Sequence, residues 1–203
     1  MASQAESATS ASQAPNSADY LVNISKHGVV PDVIDSIPAA SIDVEWAIAG
    51  VRAVQGNELK PSQVKSLPKI TFDGKSDKLY ALLMVDPDAP SRKEPKLREF
   101  CHYVVVNIPG SEVAKGDTLI EYIGSGPPLG TGLHRYVYLL YEQKAKVTSN
   151  LKISDKMLNG RPGFSAKKFA KDNNLGEPIA ANFYQAQYDD YVPILHAQLA
   201  DRN

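Results

Sequence analysis

The chain is poor in the features that usually announce a function. Its 203 residues contain one cysteine, Cys101, which excludes an internal disulfide framework and a multi-cysteine zinc site. Lys and Arg number 22 against 23 Asp and Glu, for a formal charge of −1. That balance excludes a nucleic-acid sleeve held by net positive charge, and no nucleic-acid partner is expected. No apolar run approaches the roughly 18–20 residues of a membrane-spanning helix. H-E-x-x-H, G-x-S-x-G and the Walker loop are all missing. Residues Met1 to Asp19 hold six alanines and five serines. They lack the basic start and apolar stretch of a secretory signal and the arginines of a mitochondrial presequence, and they read as a disordered tail. With a lone cysteine, this predicts a cytoplasmic protein.

From Tyr20 to Asn203 the composition is globular and shows no repeat, which predicts one domain after the tail 1–19. Short runs rich in β-branched and aromatic residues, bounded by Gly, Pro, Asn and Asp, predict strands at Ile42–Ala47, Lys69–Phe72, Leu79–Val85, His102–Ile108, Leu119–Ile123, His134–Tyr141 and Asn182–Tyr188. LYALLMV and RYVYLLY are apolar on both faces and predict central strands. Helical spacing follows Ser165, a good N-cap residue, and again in Val192–Leu199, with Pro193 in the first turn. The class is mainly β with a few helices. Charge is uneven: Lys144 to Lys171 holds eight Lys/Arg and one acid, Asp155. Such a run is either a solvated face or a docking surface for a partner or an anionic membrane.

Four segments concentrate unusual polar residues at strand ends. In Asp86-Pro87-Asp88-Ala89-Pro90-Ser91-Arg92 the prolines stiffen the backbone, so two carboxylates two positions apart are held firmly and are expected on one side. Phe100-Cys101-His102 opens the strand HYVVVNI. Gly124 to Gly132 has four glycines in nine residues, and Gly124, Ser125 and Gly126 could offer successive amides to an anion. His134-Arg135-Tyr136 begins another strand, with His134 and Tyr136 on one face and Arg135 on the other. The chain has only four histidines, and two of them stand at such strand starts.

Three chemistries compete for these groups. A metal site finds no familiar ligand spacing, and neither a metal nor a cofactor is expected. A hydrolase triad could draw on Ser91, His134 and Asp86, without the usual elbow. An anion pocket built from two imidazoles and glycine amides uses all four segments. Titrating imidazoles would make it bind phosphate more tightly at mildly acidic pH.

DPDAPSRKEPKLRE (Asp86 to Glu99), GSGPPLGTGLHRYVYLLYEQ (Gly124 to Gln143) and YQAQYDDYVP (Tyr184 to Pro193) resemble the phosphatidylethanolamine-binding protein family. The wording is nearest the animal, Raf kinase inhibitor protein-like branch. The resemblance runs from about Tyr20 to Leu199. It implies a large central antiparallel sheet packed against a smaller sheet, with peripheral helices including a C-terminal one. It also implies a pocket for phosphate or phosphoethanolamine-like groups, containing Asp86, Asp88, Pro90, His102, Gly124, Gly126, Pro128, His134 and Tyr136, with Leu195 and His196 at its mouth. Such a protein is a monomeric, non-catalytic regulator of kinases or serine proteases. Relatives often carry tyrosines where Leu97 and His196 stand. They also carry a phosphorylatable serine where Lys168 precedes Phe169, so that switch is not expected here. The alternatives are the Ser91 hydrolase and a scaffold acting through the basic stretch 144–171.

Overall fold

A computed structural model describes residues 17–200. The expected tail lies outside the described residues up to Asn16, and Ser17 already opens a helix, α1 (Ser17–Lys26). A single turn, α2 (Val29–Asp32), follows. The strands are β1 (Ala40–Ser41), β2 (Asp43–Trp46), β3 (Val51–Arg52), β4 (Lys69–Thr71), β5 (Leu79–Asp86), β6 (Phe100–Pro109), β7 (Asp117–Ile120), β8 (His134–Gln143) and β9 (Ala180–Ala186). Two further helices are α3 (Ala166–Asp172) and α4 (Val192–Ala200). Ser165 caps α3 as its sequence position predicts, its hydroxyl accepting from the Lys168 amide at 3.1 Å.

Six strands form one sheet in the order β1-β9-β8-β5-β6-β7, and three form a second in the order β3-β2-β4. The large sheet is antiparallel except at one edge, where the two-residue β1 adds parallel to β9. β5 and β8 sit in its middle, as runs apolar on both faces require. Period-two alternation sorts their side chains into two cores. Ala81, Leu83, Val85, Val137 and Leu139 pack with Ile24, Val29, Ala166 and Ala170 under the helices. Tyr80, Leu82, Met84, Tyr136, Tyr138 and Leu140 pack against Val44, Trp46 and Ile70 of the small sheet. Each fully buried large side chain contributes about 1.5–3 kcal/mol by leaving water. A small third cluster of Ile123, Leu195 and Leu199, with Phe100 and Leu158 against it, lies at one end.

Two irregularities prepare that end. β6 carries an extra residue: Met84 pairs with Tyr103 but Val85 with Cys101. His102 is therefore the bulged position, and a bulge re-aims a side chain. β7 stops at Ile120, earlier than its expected end at Ile123, because the Glu121 amide turns away to the Ile153 carbonyl at 2.8 Å. The segment to Gly132 then runs as a loop past the sheet end.

The basic stretch is partly engaged within the fold. Arg161 is fully buried. Lys152 donates to the Thr118 carbonyl, Lys167 pairs with Asp35, and Lys168 pairs with Asp172. No described helix is long and apolar enough to cross a membrane.

Candidate functional site

The end of the large sheet holds a cavity of about 130 Å³ lined by residues of β5, β6, β8, the Gly-Pro loop and α4. Of the residues expected there, Asp86, Pro90, His102, Gly126, Pro128, His134, Tyr136, Leu195 and His196 line it. Two do not. Asp88 is wholly buried on the other side, clamped by Arg135: Nη2 to Oδ1 is 2.6 Å, Nε to Oδ2 is 2.8 Å, and the Arg135 amide to Oδ2 is 2.9 Å. The expectation that both carboxylates face one way fails because the chain curls after β5, the Asp88 amide donating back to Asp86 Oδ1 at 2.7 Å. Gly124 is small for packing instead: a Cβ there would come within 2.7 Å of the Val64 carbonyl oxygen. Gly126 admits α4 to the site, since a Cβ would meet Leu195 at 2.9 Å. His196 closes that contact from α4, its Nε2 donating to the Gly126 carbonyl at 2.9 Å.

Of the apolar walls, the sequence marks only the Leu97 position, through the tyrosine that relatives often carry there. Ala89, Leu97, Phe100, Ile123, Leu158 and Leu199 complete the lining. Only proximity in the chain to Pro90, His102 and Leu195 could have suggested some of the others. The pocket is thus a mostly apolar hollow with a polar floor, the usual form of a small-molecule site.

Tyr136 is fully buried, and its hydroxyl has no hydrogen-bond partner of good geometry among the described residues. The rings of Tyr184 and His102 fix its position, one stacked at 5.1 Å between centroids and the other edge-on at 5.1 Å. His102 gives its Nδ1 proton to the Ile123 carbonyl at 3.1 Å, since a carbonyl can only accept. Burial pushes this imidazole down to about 3, so it is neutral at physiological pH. The expected gain in phosphate affinity through His102 titration between pH 5.5 and 7.5 is therefore removed.

His134 is held from both sides. Nδ1 lies 2.9 Å from Asp86 Oδ2, and Nε2 lies 2.9 Å from Thr131 Oγ1. The Thr131 hydroxyl itself sits 2.8 Å from the Pro128 carbonyl and must donate there. It therefore accepts from His134, and Nε2 carries a proton. One further proton is shared along the bond to Asp86, so the pair is electrically neutral as a unit. Burial raises the Asp86 carboxyl above its ordinary range, against the pull of His134. The Ser91 triad is not assembled. Ser91 Oγ accepts from the Glu94 amide at 3.1 Å and lies outside the cavity lining. Thr131 meets the distance a nucleophile needs, but Nε2 donates to it and so cannot take its proton. Among the described residues no three His, Cys, Asp or Glu side chains converge as a metal site would need.

Fold and cavity together define a two-sheet β protein with a small cavity at one end of the larger sheet. Residues 49–185 match the model of the phosphatidylethanolamine-binding protein family. The chain is 40% identical over 164 residues to the 26 kDa secreted antigen of Toxocara canis, covering 79% of this chain and 61% of that protein. It is 32% identical over 168 residues, 82% of this chain and 80% of the other, to a Drosophila melanogaster protein provisionally named odorant-binding protein A5. The solution structure titled CG7054 superposes with a TM-score of 0.71 at 49% identity, over 85% of this chain and 98% of that one. A carboxypeptidase Y inhibitor complexed with its cognate proteinase gives 0.72 at 30% identity, over 85% and 97%. The chain belongs to the phosphatidylethanolamine-binding protein family.

The names of the two sequence relatives point to extracellular proteins, which overturns the expectation of a cytoplasmic one. The premise behind that expectation was weak on physical grounds. Cys101 is buried and free, so the fold needs no disulfide in an oxidising compartment or a reducing one.

Proposed function

We propose that this protein captures a small phosphorylated or phosphoethanolamine-like ligand in the end cavity and acts as a non-catalytic regulator of a protein partner. The observation that carries this reading is the Tyr136 hydroxyl, fully buried at the cavity and without a partner among the described residues. A buried hydroxyl left unpaired costs roughly 1–3 kcal/mol, which a bound acceptor recovers. An anionic oxygen is the acceptor that recovers most, because charge-assisted bonds are the stronger kind. Cavity size supports the class, since about 130 Å³ suits a headgroup.

For the partner, a serine-type protease is the favoured class and a kinase the other. The carboxypeptidase Y inhibitor, solved with its cognate proteinase, supports the first. The proposed setting is extracellular, in keeping with the relative named a secreted antigen. Calorimetry with phosphoethanolamine tests the pocket. Tyr136→Phe keeps the ring stacking and removes the donor, so binding should weaken about tenfold, the worth of one bond to a charged group, with the thermal midpoint unchanged or higher. An affinity equal to that of the unaltered protein would sink the assignment.

A further inference from the structure

We infer that Thr131 is a displaceable cap on His134, and that it sets the affinity of the pocket for anions by competing with them for one N–H. The inference rests on the reading just given, that the cavity takes an anionic ligand. His134 lines the cavity and is 1% exposed. With Asp86 on Nδ1, Nε2–H is the ring's other donor, and Thr131 Oγ1, just outside the cavity lining, occupies it at 2.9 Å. A buried N–H demands an acceptor, and the threonine supplies one while the pocket is empty. An anionic oxygen is a better acceptor than a hydroxyl.

The threonine is built to leave. Gly130 and Gly132 flank it at φ +79° and +76°, and nothing lies within 4 Å of either glycine's missing Cβ. The neighbouring Leu129 is 75% exposed. At these two glycines, then, no packed side chain among the described residues bears on the loop tip, while Thr131 between them is half-buried. What holds Thr131 is its own hydroxyl, given to Pro128, and its amide, which bonds the same carbonyl at 3.2 Å. The ligand-competent state is the one with Thr131 turned away, and the measured affinity is scaled down by the fraction of molecules in that state.

Thr131→Val keeps the shape and removes the hydroxyl that caps His134. Inorganic phosphate, measured by calorimetry, should then bind about fivefold more tightly, the worth of one neutral hydrogen bond no longer broken on binding. Thr131→Ser keeps the cap and should bind as the unaltered protein does. In nitrogen-15 spectra of the free protein, the His134 Nε2 resonance should move in the valine variant and stay in the serine one. Equal or weaker phosphate binding by Thr131→Val overturns the cap while leaving the pocket reading intact. If neither the unaltered protein nor the variant binds phosphate or phosphoethanolamine, the pocket reading falls and takes the cap with it.

Discussion

Two arginines are wholly buried behind the pocket, and they are satisfied in opposite ways. Arg135, on β8 between His134 and Tyr136, meets two carboxylates, Asp88 and Asp32, at 2.6 and 2.8 Å, and the His27 carbonyl at 2.8 Å. Arg161 meets carbonyls alone, those of Met157, Cys101, His102, Glu121 and Ser154, at 2.7 to 3.3 Å. The first ties the N-terminal helical segment to the turn after β5. The second ties the loop carrying Leu158 to the ends of β6 and β7. Burial opposes charge in both. For Arg135 the bonds to Asp88 and Asp32 outweigh it and raise the guanidinium pKa, whereas burial pushes Arg161 down to about 10. One side of the pocket is fastened by charge pairing and the other by geometry.

The largest effect expected from breaking this contrast is at Arg135. Arg135→Met leaves the buried Asp88 carboxylate only the longer contact to Arg98 at 3.6 Å and should cost about 3–5 kcal/mol in chemical denaturation, with the double variant Arg135→Met/Asp88→Asn recovering more than half. The double variant should also lose acid sensitivity. Burial resists the Asp88 charge, but the Arg135 bonds overcome it and hold this carboxyl below its ordinary range. Its stabilisation is thus present above about pH 4 and lost as pH falls below that. Arg161→Met takes a donor from five carbonyls, of which those of His102 and Ser154 keep a backbone amide, and also removes an uncompensated buried charge. A smaller loss of about 2–3 kcal/mol follows, and a larger loss than for Arg135→Met would reverse the comparison.

The smallest effect sharpens the Arg161 side. Glu99, two residues before Cys101, accepts from the Ala166 amide at the start of α3 at 2.8 Å, and the cations that bear on it are Lys167 and Arg98. Burial pushes it up to about 7. A raised carboxyl favours the folded state while protonated, so this contribution is full below about pH 4.5 and lost as pH rises through 7. Glu99→Gln keeps the acceptor and removes the titration. It should flatten the stability profile between pH 5 and 8 and add about 1–2 kcal/mol at pH 8, read from thermal melts. A slope equal to that of the unaltered protein would return Glu99 to an ordinary surface carboxylate.

Legibility in the sequence followed chemical contrast. β5 and β8 could be read because seven or more consecutive residues are buried on both faces. β1 and β3 could not, since two residues carry no period and only the neighbouring strand creates them. The turn α2 was hidden because its residues, Val-Val-Pro-Asp, argue against a helix. In the pocket the histidines, Asp86 and Tyr136 stood out as polar residues at strand ends. Phe100, Ile123, Leu158 and Leu199 carry no mark that separates a cavity wall from core. Asp88 misled because two-residue spacing predicts one side only while the strand continues, and β5 ends at Asp86. Thr131 lay in plain view three residues before His134, but nothing in the spacing says that the loop folds back onto the ring.

One wall of the hollow is the last helix, admitted against Gly126 for want of a methyl group. Leu195 and Leu199 look inward from it while Ile194, 63% exposed, looks out. Whatever grips the outer side of α4 and whatever fills the hollow therefore share a single partition. If one visitor shifts that partition, it alters the other's hold, and the second must alter the first's by the same factor.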